Sequence, residues 1–139
     1  MKNYIHVLLF TALLLTGCSD KEKLSGKVVF PDGQPLTTGT IYFTNDNYTA
    51  RAHLRANGTY DVGSLSERDG LPAGTYKVYI SGAIENNADP TDETMRLLIA
   101  PEFASESKTP LSITVPGERV YNITVERPQP PNSTERKKR

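Results

Sequence analysis

There is no tryptophan among the 139 residues, one cysteine, and two histidines, His6 and His53. A single cysteine excludes an internal disulfide, so a hydrophobic core must hold the fold together. So few histidines and thiols exclude a zinc centre, whose ligands come in groups. No Gly-x-Ser-x-Gly elbow is present to expose a serine nucleophile. No Asp-x-Asp-x-Asp-Gly spacing offers a calcium loop. Without Trp, a glycosidase carboxylate pair would have only tyrosines as a sugar platform. Long helical patterns are also missing, while ten Gly and ten Pro favour short strands joined by turns.

Charge of one sign is missing overall, since 16 Lys/Arg balance 16 Asp/Glu, but its distribution is uneven. Residues 18–126 carry ten Lys/Arg against fifteen Asp/Glu, a balance of −5. Residues 127–139 carry five Lys/Arg and one Glu, a balance of +4. An acidic folded part argues against nucleic acid, whose binders present a basic face.

The one continuous apolar run, Ile5 to Leu15, is broken only by His6 and Thr11 and preceded by Lys2. It is too short for a bilayer, which takes about 20 apolar residues. A positive start, an apolar middle and small residues at a cut describe a secretory signal. Leu15-Thr16-Gly17-Cys18 resembles the lipobox of bacterial lipoproteins. That resemblance implies cleavage before Cys18, a diacylglycerol thioether on its sulfur and an acylated new amino terminus. Ser19 in place of Asp implies an outer-membrane address, against which Asp20 stands one position later. The expected organisation is a signal peptide over 1–17, a lipidated tether over 18–23, a folded body over 24–126 and a disordered Pro-rich basic tail over 127–139. One domain of this size buries about two-thirds of its unfolded surface, enough for a core.

Within the body, apolar alternation predicts strands. Leu24 to Phe30 turns Leu24, Val28 and Phe30 inward and ends at Pro31-Asp32-Gly33. Thr40–Thr44 follows, then Tyr48–Arg55 with Ala50, Ala52 and Leu54 inward and Thr49, Arg51, His53 and Arg55 outward. Asn57-Gly58 predicts a tight hairpin into Thr59–Val62. Thr75–Ser81 points Tyr76, Val78 and Ile80 one way. Met95 to Ala100 reads as a strand or a short helical turn, closed by Pro101. Leu111–Val115 and Arg119–Glu126 predict a C-terminal hairpin with Tyr121, Ile123 and Val125 inward. Seven strands with turn signals every 8–12 residues predict an all-β, antiparallel sandwich.

Three pieces carry a family resemblance: Gly26 to Leu36, Asn57-Gly58-Thr59-Tyr60, and Leu71 to Val78. They are similar to the opening strand with its Asp-Gly-x-Pro-Leu turn, the Asp-Gly-x-Tyr hairpin, and the Pro-x-Gly-x-Tyr motif of transthyretin-like or carboxypeptidase regulatory-like domains. The resemblance spans roughly Leu24 to Glu126. It implies a seven-stranded prealbumin-like (Ig-like) β-sandwich that is generally non-catalytic. An enzymatic branch of that fold, the hydroxyisourate hydrolases, needs several histidines and a C-terminal Tyr-Arg-Gly-Ser. This chain ends in Arg-Lys-Lys-Arg and keeps only His53 after processing.

His53 between Arg51 and Arg55 reads as an exposed strand histidine. Glu85, Asp89, Asp92 and Glu93 share one long loop and read as solvated carboxylates. Tyr42, Tyr48 and Tyr79 are the candidates for ligand contact if they cluster outward; scattered strand tyrosines are the plainer expectation. Arg136–Arg139 reads as a solubilising tail. No catalytic residue, metal or cofactor is expected. The predicted function is a non-enzymatic, lipid-anchored envelope protein held in the membrane through Cys18, with an envelope protein or glycan as partner. The alternative is a glycan- or peptide-binding, even hydrolytic, module using the tyrosines and the 83–94 acidic loop.

Overall fold

A computed structural model describes residues 21–63, 69–85 and 96–129. Seven strands form within them: β1 (Ser25–Val29), β2 (Thr40–Thr44), β3 (Thr49–His53), β4 (Thr59–Asp61), β5 (Gly74–Ser81), β6 (Ser112–Val115) and β7 (Ile123–Thr124). They assemble into a three-stranded sheet ordered β4-β1-β7 and a four-stranded sheet ordered β3-β2-β5-β6. The one helical element among the described residues is a 3₁₀ turn at Pro101–Ala104.

Both sheets contribute to one core. From the first come Leu24, Val28, Tyr60, Val62, Ile123 and Val125; from the second come Ile41, Phe43, Ala50, Ala52, Tyr76, Val78 and Ile80. Phe43 and Tyr60 meet between the sheets with ring centroids 6.0 Å apart. The inward residues are those that period-2 alternation predicts, because successive strand side chains point to opposite faces.

The sheet is not purely antiparallel. β7 runs parallel to β1, with Val28 opposite Ile123 and Val29 opposite Thr124. A further bridge pairs Ser25 with Val120 at the same offset. The expected C-terminal hairpin is therefore absent: β6 pairs with β5, and residues 116–122 carry the chain across to the other sheet. Alternation correctly turned Ile123 and Val125 inward, but it carries no information on which strand supplies the hydrogen bonds. The Asn57-Gly58 turn is present, with Asn57 Oδ1 accepting from the Thr59 amide at 3.1 Å. Its two arms separate, however, β3 laddering with β2 and β4 with β1. What still joins them is the Arg51–Gly63 bridge, the Arg55 amide donating to the Thr59 carbonyl, the Gly58 amide donating to the Arg55 carbonyl, and the Arg55–Asp61 ion pair at 2.9 Å. Nor does Pro101 end structure: it opens the 3₁₀ turn, where its missing N–H costs nothing.

A cross-strand row explains how β7 is captured. Tyr60 of β4 lies opposite Gly26 of β1, and the β1–β7 offset puts Tyr121 on Gly26's other side. The buried Tyr60 reaches across the bare glycine and donates its hydroxyl to the Tyr121 carbonyl. A Cβ on Gly26 would collide with that carbonyl and come within 2.8 Å of the Tyr60 hydroxyl. Glycine within a strand here marks a close approach of another backbone.

The start of the expected tail is held. Arg127 places its guanidinium 3.9 Å from the Phe30 ring centroid, pairs with Asp32 at 3.0 Å and donates to Gln34 Oε1 at 3.2 Å. The Gln34 amide first, and then Arg127, hold the Asp32 carboxyl below its usual range. The expected signal peptide, Cys18, most of the 83–94 loop and Arg136–Arg139 lie outside the described residues.

Candidate binding face on the four-stranded sheet

The side of the four-stranded sheet away from the core is built by the alternate residues of β3, β2, β5 and β6. Three cross-strand rows can be read from the register: His53–Thr40–Ser81, Arg51–Tyr42–Tyr79, and Thr49–Thr44–Lys77–Ser112. Thr75 opposite Thr114 follows. These strand positions contribute two cations and no carboxylate. Two hydroxyl pairs stitch the face, Thr44 with Thr49 at 3.1 Å and Thr75 with Thr114 at 2.9 Å. His53 Nδ1 sits 3.1 Å from Thr40 Oγ1.

Tyr42 and Tyr79 stack in the middle row, with centroids 5.0 Å apart and planes 9° from parallel. Both are half-buried. Burial, then the Glu106 carboxylate and Tyr42, push the Tyr79 phenol above its usual value. So two of the three tyrosines predicted as ligand contacts come together, on neighbouring strands at directly opposed positions.

Tyr48 is not part of this pair. It shares the inward parity of Ala50 and Ala52 and packs against the core, edge-on to Tyr76 at 6.5 Å. Lys21 lies 5.6 Å from its ring centroid. The face it belongs to was already encoded by its even position, one residue before β3 and in phase with Ala50 and Ala52.

Beside Lys77 the surface sinks into a groove of about 320 Å³ lined by Thr44, Asn45, Asp46, Thr75, Tyr76, Lys77, Glu106 and Ser112. Its carboxylates come from the β2–β3 turn and from the segment after the 3₁₀ turn. Among the described residues the carboxylate acting on Tyr79 is thus Glu106, and not one from the 83–94 loop. That loop leaves β5 past Ser81, at the end of the strand opposite Thr75. Lys77 and Glu106 gave no signal in the sequence: each is one charged residue among many, and only the fold brings them to one groove.

Two further tyrosines are fastened inside. Tyr76 donates its hydroxyl to the Pro72 carbonyl at 2.9 Å, and Tyr60 is the lock on Tyr121 described above. Burial raises the phenol of each. They are the tyrosines of the Asn-Gly-x-Tyr and Pro-x-Gly-x-Tyr pieces, and their work is structural. Among the described residues, no group of three or more His, Cys, Asp or Glu is placed to hold a metal ion. No helix among them is long and apolar enough to cross a membrane.

No family model matches the sequence, and no curated protein matches it. The fold is similar to the crystal structure of a DUF3823 family protein from Bacteroides ovatus, at 20% identity and a TM-score of 0.44. The match covers 76% of this chain and 44% of that one, so this chain spans less than half of its length.

Proposed function

We propose that this chain is a non-enzymatic, lipid-anchored protein of the cell envelope, whose β-sandwich presents the outer face of the four-stranded sheet to a binding partner. The observation that carries the binding role is the Tyr42–Tyr79 stack on that face. Aromatic side chains offer large contact area at low entropic cost and are the usual anchors of binding surfaces. An aromatic pair on a sheet face, flanked by Arg51 and Lys77, contributes little to the core and is well placed for contact.

The anchor is supported by Leu15-Thr16-Gly17-Cys18 after an apolar run. One acyl chain binds a bilayer only marginally, whereas several hold durably, so lipidation of Cys18 at both sulfur and amine makes a stable anchor. Ser19 favours the outer membrane as destination. The sandwich is proposed to be prealbumin-like, as in transthyretin-like domains. Support comes from the three motif pieces, which build β1 with its turn, the turn into β4, and the lead into β5.

Two measurements test this function. Cys18→Ser should move the protein from the membrane to the soluble fraction, and mass spectrometry of the native protein should find lipid on Cys18. An intact N-terminus with an unmodified thiol would refute the anchor. Tyr42→Ala/Tyr79→Ala should keep the fold and lose the partner captured by the wild-type chain in crosslinking on intact cells. Undiminished capture by the double variant would refute the binding face.

A further inference from the structure

We infer that the groove beside Tyr79 is a saccharide site, taking a neutral sugar ring whose hydroxyls bridge Lys77, Asp46 and Glu106. This inference rests on the binding face proposed above and names its ligand class.

The lining decides the chemistry. Three hydroxyls (Thr44, Thr75, Ser112), one ammonium (Lys77) and two carboxylates (Asp46, Glu106) share one groove of about 320 Å³. That volume falls at the lower end of ligand pockets, about 300–1,000 Å³. Among the described residues, Lys77, Asp46 and Glu106 form no ion pair with one another or with other groups. All three are exposed, so their donors and acceptors are available to a ligand. A simple anion is disfavoured there by two carboxylates, and a metal cation by the lack, among the described residues, of three clustered ligands. An apolar ligand would strip water from three charges without replacing it, which is costly. A polyol satisfies both signs at once: its hydroxyls donate to carboxylates and accept from the ammonium. Hydrogen bonds to charged partners are the strong ones.

The Tyr42–Tyr79 stack supplies the second half of the recognition. Thr44 and Lys77, which line the groove, form the cross-strand row next to Tyr42 and Tyr79 on the same face of β2 and β5, so groove and aromatic pair adjoin. Sugar rings carry apolar C–H surface as well as hydroxyls, and an aromatic edge beside a polar groove matches that mixed character. Arg51, opposite Tyr42, extends the polar surface in the direction of a longer chain of sugars.

The experiment is an NMR titration of the ¹⁵N-labelled full chain in detergent micelles with millimolar maltohexaose, cellohexaose, xylohexaose and a random peptide pool. At least one hexasaccharide should shift the amides of Thr44, Asp46, Thr75, Lys77 and Ser112. Lys77→Ala and Glu106→Gln should each weaken that binding about tenfold, the loss of one charge-assisted hydrogen bond. Both side chains are exposed, so the variants should melt with the wild type. Ser81→Ala, on the same face but away from the groove, should bind unchanged. If no hexasaccharide shifts these amides while the peptide pool does, and Tyr42→Ala/Tyr79→Ala abolishes the peptide shifts, the ligand class is wrong and the face stands. If neither kind of probe shifts them, both the sugar site and the binding face are overturned.

Discussion

Removing one oxygen from the interior should loosen the whole C-terminal crossing. In Tyr60→Phe the ring stays in place, 1% exposed in the wild type, so apolar burial is unchanged. What is lost is the hydroxyl donated to the Tyr121 carbonyl. A neutral hydrogen bond is worth about 0.5–1.5 kcal/mol net, and stranding a buried partner raises the cost, so about 1–2 kcal/mol is expected. Each kcal/mol lowers the melting temperature of a body this size by about 4–8 °C. Gly26→Ala attacks the same row harder, because the new Cβ meets backbone at the Tyr121 carbonyl and no rotamer relieves it. Overpacking of this kind costs about 1–3 kcal/mol or more. The two changes share a site, so their effects should not add in the double variant. Burial also holds the Tyr60 phenol far above its usual value. A raised folded pKa contributes stability that is complete below about pH 10 and is lost as pH rises further. Wild type should therefore lose stability above pH 10 more steeply than Tyr60→Phe. Thermal melts from neutral to alkaline pH, with hydrogen exchange at the Tyr121 and Val125 amides, read all of this. A Tyr60→Phe protein that melts with the wild type, its Tyr121 amide still protected, would refute the claim that this hydroxyl holds β7 to β1.

Other consequences are smaller and local. A double-mutant cycle on Tyr42→Ala and Tyr79→Ala should give a coupling of about 0.5–1.5 kcal/mol, measured by denaturant unfolding; no coupling would mean the rings do not stack in solution. Arg127→Ala should cost about 0.5–1 kcal/mol from the lost contact with Phe30, its exposed ion pair adding little, and exchange at the Val125 amide should quicken. Asp32 has a lowered carboxyl in the fold, so its contribution is present above the ordinary carboxylate range and fades as pH falls through it. Asp32→Asn and wild type should accordingly differ in melting temperature near pH 6 and converge in acid. Glu106→Gln removes a negative charge that raises the Tyr79 phenol, so ultraviolet titration should find Tyr79 ionising at lower pH than in the wild type.

Much of the architecture was legible along the chain, because strands with one buried face write their orientation as alternation. Ala50 and Ala52 inward with Arg51 and His53 outward, or Tyr76, Val78 and Ile80 inward around Lys77, follow from that period alone. The candidate site was legible only in part. Tyr42 and Tyr79 stood out as strand aromatics, but their stacking depends on β2 and β5 being neighbours across more than thirty residues. Tyr48 was grouped with them by residue type, although its phase with Ala50 and Ala52 of β3 assigned it to the opposite side. Glu106 and Lys77 were silent, since a surface charge carries no local mark of its eventual neighbours.

What the chain determined unaided, then, was local: strands at their places, inward faces, turns at Pro31–Gly33 and Asn57–Gly58, and the lipobox-like Leu15–Cys18. The tertiary structure decided the partners. It alone sent β7 parallel to β1 rather than back along β6, split the arms of the Asn57-Gly58 turn between two sheets, and drew Lys77, Asp46 and Glu106 into one groove. A strand's periodicity is set by its own backbone geometry, but its hydrogen-bonding neighbours are chosen by which remote segments bury the most surface together. Here Gly26 was the residue that left room for that choice, by letting the Tyr60 hydroxyl reach the Tyr121 backbone.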